Sequence, residues 1–242
     1  MTLEGPPQPP TTLAALAASF TSFLTVAIHQ ILYLRSVYPR ATFLPVRAYN
    51  YPTRQSRHPK VCEYINDVAA AVETEIRKGT VATVSVIILS LRTNQPMERY
   101  AFDLSRFPRV ASEQDLHTPF EERQEGQGEE QPKPSADMVA QFRACLVRLA
   151  SACARLSPLP KNQDGDDEFG FTVCIELRDE APPPVGSSQE EQAWIAAESS
   201  NSSTAEGASG RAKTVPVRRV EAGEMRLEMW VEEARQKFDV AA

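Results

Sequence analysis

The residues of this 242-residue chain that could do covalent or metal chemistry are few and dispersed. Its four cysteines, Cys62, Cys145, Cys153 and Cys174, form no CxxC pair, and each sits among apolar neighbours. That placement predicts free thiols buried in a reducing compartment, not a disulfide frame. Three scattered histidines, His29, His58 and His117, have no spacing that would hold zinc. The carboxylate pairs Asp166-Asp167 and Glu190-Glu191 could in principle share a proton, but both lie in polar, loop-like sequence where charge is usually solvated. GxSxG, Walker, GxGxxG and HExxH patterns are missing from the sequence. No enzyme, cofactor or metal is therefore expected. Trp194 stands out differently, as a large ring in a Pro- and Ser-rich stretch. It either pins that stretch to the core or belongs to a recognition surface.

Elements must exist to carry such a surface. Leu13 to Leu34 is uncharged apart from His29 and has the length of a membrane span. The start, MTLEGPPQPP, is acidic and proline-rich and does not read as a secretory signal. At 100° per residue, Phe20, Phe23, Leu24, Ala27, Ile31, Leu34 and Tyr38 share one face, while Ser22, Thr25, His29 and Ser36 share the other. A polar seam suits a core helix better than a lipid-exposed one, and Pro39 is expected to end it. Thr42 to Ser56 reads as extended and turn-rich. A second helix follows, with Pro59 in its first turn and Gly79 just past its end. Val81 to Ser90 reads as a buried strand, with MERYAFDLS as its hairpin partner. Asp137 to Leu156 reads as a third helix and Phe169 to Arg178 as a strand. TVPVRRVEA and EMRLEMWVEEA read as a strand pair around Ala222-Gly223, the second with a short helix as its alternative. Residues 1–12 and 236–242 read as tails, and about 111–135 and 199–212 as disordered inserts in a domain spanning 13–235. The sum is an α+β class, three main helices packed on an antiparallel sheet. A net charge of −6 argues against a chain devoted to gripping phosphates, so no direct nucleic-acid contact is expected.

Several stretches in order, ILYLRSVYP, AYNYP, RHPKVCEYINDV, VSVIILS, ERYAFDLS and MRLEMWVEE, resemble the HORMA-domain family over about Phe20 to Glu233. YNYP, His58-Pro59 and WVEEARQK resemble its DNA-repair branch, the non-catalytic subunit of translesion DNA polymerase zeta. The resemblance implies a C-terminal safety belt, here about 182–233, that closes over a proline-containing peptide of the polymerase zeta catalytic subunit. Tyr64 and Trp194 match the two aromatic positions that pack on that peptide, with a helix residue buried in the core as the alternative for Tyr64. Thr214, Glu228 and Trp230 match the surface that receives the C-terminal domain of the translesion scaffold polymerase, where the family pattern has an aliphatic residue, an amide and a tyrosine. Arg143 matches a self-association arginine, with a solvated surface arginine as its equal alternative, and a second HORMA domain is an implied partner, as is a remodelling ATPase. Tyr33 and Arg35 are expected on a face of the first helix that looks toward the binding surfaces. The resemblance also implies a nuclear protein with some cytoplasmic presence, and no membrane. A spindle-checkpoint adaptor binding checkpoint or anaphase-promoting-complex factors is the alternative function.

Overall fold

The computed structural model describes residues 10–109, 113–120, 122, 137–160, 169–178, 213–222 and 224–239. The chain order is helix α1 (Leu13–Leu34), strands β1 (Phe43–Ala48) and β2 (Tyr51–Ser56), helix α2 (Pro59–Arg77), β3 (Val81–Ser90), β4 (Pro96–Asp103), helix α3 (Met138–Cys153), β5 (Phe169–Leu177), β6 (Lys213–Ala222), β7 (Met225–Glu233) and a final helical turn α4 (Gln236–Asp239). Strands β3 to β7 form one antiparallel sheet in the order β5-β3-β4-β7-β6, and β1-β2 is a separate hairpin. The expected α+β arrangement, three helices packed on an antiparallel sheet, is what the chain adopts. EMRLEMWVEEA forms a strand, because Met225, Leu227, Met229, Val231 and Glu233 alternate as its buried face.

Helix α1 is the centre of the domain. It is long and apolar enough to cross a membrane by length and composition. Its apolar side chains are nevertheless covered by protein: Phe20 and Phe23 meet Phe102 of β4 edge-on, and Phe23 stacks on Phe142 of α3 at 4.6 Å. Polar residues of the helix meet partners too. Thr21 donates to Glu73 of α2, the Gln30 amide oxygen accepts the Arg54 N–H at 3.0 Å, and His29 Nδ1 accepts the Ser56 N–H at 3.4 Å. Thr21, His29 and Gln30 thus form the contact line for α2 and the hairpin, with His29 buried, whereas Ser22 of the expected seam is exposed.

Burial lowers the His29 pKa from 6.5 to about 4, because the imidazolium would lose its hydration. A depressed histidine pKa means the unfolded chain takes up protons that the folded one refuses. This share of stability is complete above pH 6.5 and lost as the pH falls toward 4. It is expected to reach roughly 3 kcal/mol, and urea unfolding at pH 7 and pH 4.5 measures it. His29→Gln, which cannot titrate, should flatten that dependence.

Three boundaries differ from the sequence expectations. Helix α1 stops at Leu34, short of Tyr38 and Pro39. Ser36 adopts a left-handed φ of 54°, the Val37 N–H reaches the Leu32 carbonyl, and the Ser36 N–H reaches that of Tyr33. This closing motif usually takes glycine, which is why its serine was not an evident stop. The extended segment is a hairpin whose two turn residues, Tyr49 and Asn50, both have positive φ (50° and 56°). The usual Asn-Gly signal is missing, and tyrosine is costly there. Its ring offsets that cost by packing beside Phe23 and Phe142. Finally, part of the first insert is ordered: Glu113–Leu116 forms a helical turn, Leu116 and Phe120 pack on the core, and the Phe120 N–H bonds the Thr11 carbonyl. The second insert, 199–212, lies outside the described residues, as do Asp166-Asp167 and Glu190-Glu191.

The C-terminal stretch read as a tail begins inside the core. Lys237 is buried, and its Nζ contacts Glu98 at 2.6 Å, Glu233 at 2.5 Å and the Ser157 carbonyl at 2.7 Å. Arg35 completes the cluster: its Nε and Nη2 bracket the Glu98 carboxylate at 2.8 and 2.5 Å. Arg35 therefore does not serve an exposed face. Burial would raise the Glu233 pKa, but the hydrogen bond and charge of Lys237, aided by Lys213 and the Ser157 N–H, hold it below the usual value. All four cysteines are free thiols, Cys145 and Cys153 buried, Cys62 and Cys174 half-buried. Burial raises the Cys145 pKa to about 12 and that of Cys153 to about 11, so both stay protonated and unreactive near neutral pH.

Candidate peptide-binding site

Strand β5 lies at one end of the sheet and pairs only with β3 among the described residues. Every second N–H and C=O along its outer edge is thus available to an added strand. Beside this edge lies an open groove of about 340 Å³, lined by Tyr38, Lys60, Val61, Tyr64 and Phe171. Each wall has a local reason. Helix α2 starts at Pro59, which needs no N–H partner, so Lys60, Val61 and Tyr64 fall in its first turns and near one face. Phe171 alternates with Gly170 and Thr172 along β5 and sits opposite Ile88, on the face toward the helices. Tyr38 follows the sharp turn at Ser36, which aims the chain back over the sheet edge.

The three rings form one assembly. Phe171 meets Tyr64 at 5.4 Å and Tyr38 at 6.5 Å, both edge to face. Burial pushes the Tyr38 phenol above its usual pKa, with Tyr64 adding to the shift, so it remains a hydrogen-bond donor. Tyr64 is 40% exposed, which sets aside its alternative as a buried helix residue. An apolar, aromatic-walled groove along an unpaired strand edge can bind an extended peptide: backbone bonds supply affinity and the rings hold alternate side chains, proline among them.

Trp194 lies outside the described residues, so its relation to Tyr64 is not described. The other candidate residues are placed. Thr214, Glu228 and Trp230 share the outer face of the β6-β7 ribbon, at the opposite end of the sheet from β5. Thr214 is exposed opposite Glu232, Trp230 lies opposite Pro216 and donates to Glu232 at 2.6 Å, and Glu228 is paired with Arg219 at 3.3 Å. Arg143 is half-buried on α3, the helix that packs on β6, and makes no ion pair among the described residues. Phe171, Tyr38, Lys60 and Val61 were not singled out from sequence. The phenylalanines flanking Gly170 were the available signal, but nothing local reveals that β5 is an edge strand.

Comparison with known proteins gives the family. A HORMA-domain family model matches residues 17–185. The DNA polymerase zeta processivity subunit of Schizosaccharomyces pombe is 31% identical over 217 residues, covering 88% of this chain and 90% of that protein. Its Arabidopsis thaliana namesake is 31% identical, covering 73% and 69%. The Danio rerio mitotic spindle assembly checkpoint protein MAD2B is 28% identical, covering 89% of each. Among solved structures, a chain of the mitotic checkpoint complex superposes with a TM-score of 0.59 at 16% identity, covering 90% of this chain and 98% of that one. C. elegans HTP-2 bound to the HIM-3 closure motif gives 0.58 at 9%, covering 93% and 92%; both likenesses bear on the fold alone. The chain belongs to the HORMA-domain family, on the branch of the DNA polymerase zeta processivity subunits and MAD2B proteins.

Proposed function

We propose that this chain is a non-enzymatic, mainly nuclear adaptor in translesion synthesis and DNA damage tolerance. In this reading it captures a proline-containing peptide of the DNA polymerase zeta catalytic subunit along β5 and offers the outer face of β6-β7 to the C-terminal domain of the translesion scaffold polymerase. The observation that carries it is the β5 edge, unpaired among the described residues, beside the Tyr38-Tyr64-Phe171 groove. The names of the relatives supply the polymerase. Chain topology supports enclosure. Strand β5 ends beside Val81, whereas β6 begins beside Glu233, which pairs with Glu98 at the other end of the sheet and near its other edge. The direct diagonal is about 35 Å from strand spacing and rise. Residues 179–212 could span about 110 Å when extended, enough to pass around a bound peptide first. Enclosure of that kind slows release more than it improves any single contact. Arg143 would contact a second HORMA domain, and a remodelling ATPase would reopen the belt.

A pull-down from nuclear extract with the wild-type chain and its Trp194→Ala variant, read by mass spectrometry, tests this. Wild type is expected to retain the polymerase zeta catalytic subunit, with at least a tenfold loss for Trp194→Ala. Retention of spindle-checkpoint or anaphase-promoting-complex factors instead would favour a checkpoint adaptor, the function in the name of the Danio rerio relative. Retention of neither set would leave the adaptor role unsupported.

A further inference from the structure

Charge is unevenly distributed in this chain. From Gly5 to Cys62 there is no aspartate or glutamate, yet the stretch carries six lysines and arginines. The rest of the chain holds the other twenty basic residues against all thirty-two acidic ones, so the net charge of −6 conceals a basic region in an acidic protein. Arg35 is spent in the buried cluster with Glu98. The remaining five, Arg40, Arg47, Arg54, Arg57 and Lys60, lie on the β1-β2 hairpin and its two flanks.

The fold sets Arg40, Arg47 and Arg54 toward one side of the hairpin, while Arg57, just past Ser56 and bonded to Thr42, falls on the other side at the hairpin's open end with Lys60. Arg40, Arg47, Arg57 and Lys60 are exposed and Arg54 is half-buried. None of the five forms an ion pair with a carboxylate among the described residues. Arg57 donates to the Ala41 carbonyl at 3.1 Å and Arg40 to the Ser36 hydroxyl at 3.3 Å. The guanidinium carbons of Arg40 and Arg54 each lie 5.1 Å from the centroid of the Tyr33 ring. The ring's π cloud partly offsets the repulsion between them. Register then sets Arg54 opposite Pro45, two residues from Arg47 on the same side of the ribbon. Like charges set as close as Arg40, Arg54 and Arg47 are unfavourable until an anion arrives.

We propose that the β1-β2 hairpin with its flanks is a contact face for the phosphate backbone of nucleic acid, bound without sequence preference. The inference sits beside the adaptor role, which keeps the chain near DNA, but it stands on charge placement alone. An arginine-dominated set favours phosphate, since guanidinium forks match its oxygens. The hairpin presents these groups over roughly 13 Å or more, the rise of about four nucleotides of one DNA strand.

Fluorescence anisotropy of the full chain with a labelled 30-nucleotide oligo-dT tests the proposal. Arg47→Glu/Arg57→Glu is compared with Arg148→Glu/Arg155→Glu, an equal charge change at exposed positions on and just beyond α3. Wild type is expected to bind at 50 mM salt. The hairpin variant should bind at least tenfold more weakly, with a salt slope shallower by more than one unit, and the α3 variant should stay within twofold. Arg47→Gln/Arg57→Gln, which avoids charge reversal, should fall between. Equal losses in the two charge-reversed variants, or no wild-type binding at 20 mM salt, would overturn the proposal. So would displacement by polyglutamate as readily as by unlabelled DNA, which would assign the face to an acidic protein. The hairpin variant should still capture the polymerase peptide, so failure of the adaptor reading and failure of this one give different results.

Discussion

Glu98→Gln is expected to remove about 3–5 kcal/mol of unfolding free energy. The Glu98 side chain has no solvent exposure and is held by Arg35, by Lys237 and by the Tyr100 hydroxyl at 2.7 Å. Two buried cations, Arg35 and Lys237, are balanced by two buried anions, Glu98 and Glu233. Neutralising one carboxylate leaves a surplus positive charge where water cannot reach it, while volume is unchanged. The same cluster joins elements far apart in sequence: Arg35 ends α1, Glu98 lies on β4, and Glu233 and Lys237 belong to the C-terminal strand and turn. The variant should therefore loosen β6 and β7 before it loosens β3 and β5. Urea unfolding measures the total and amide hydrogen exchange its distribution. A loss below about 1 kcal/mol, or protection falling evenly across the sheet, would show that the cluster does not fasten the terminal strands.

Tyr64→Ala should have the opposite profile. The ring is 40% exposed and rests edge-on against Phe171, so its removal is expected to cost less than about 1 kcal/mol of stability. Affinity for a proline-containing peptide should fall at least tenfold, because an aromatic wall of the groove is gone while the β5 edge remains. Calorimetric titration with a synthetic polymerase peptide, beside a thermal melt, separates the effects. Undiminished binding would move the peptide away from this groove. A large drop in melting temperature would make Tyr64 a structural residue.

Local patterns in the sequence were sufficient for most elements. The apolar repeat of α1, Pro59 and Gly79 at the ends of α2, Asp137 capping α3 through its bond to the Ala140 N–H, and the β-branched run of β3 each act over a few residues. Features that put an unusual residue in a backbone role were not legible: Ser36 ends α1 where glycine is the usual signal, and Tyr49 turns the hairpin because distant rings pack on it. The candidate site was half legible. Tyr64 was found through family resemblance, but its exposure and its contact with Phe171 were not in the pattern.

By itself the sequence determined the helices, most of the strands and the HORMA resemblance, since hydrophobic periodicity and turn chemistry are short-range. Tertiary structure decided which strand was left with an open edge and that Lys237 belongs to the core. It also gathered Arg40, Arg47, Arg54, Arg57 and Lys60 on one lobe. Edge pairing and burial of charge depend on distances between residues remote along the chain, and the spacing of the hairpin's cations on the pairing of its strands, which only the folded arrangement sets.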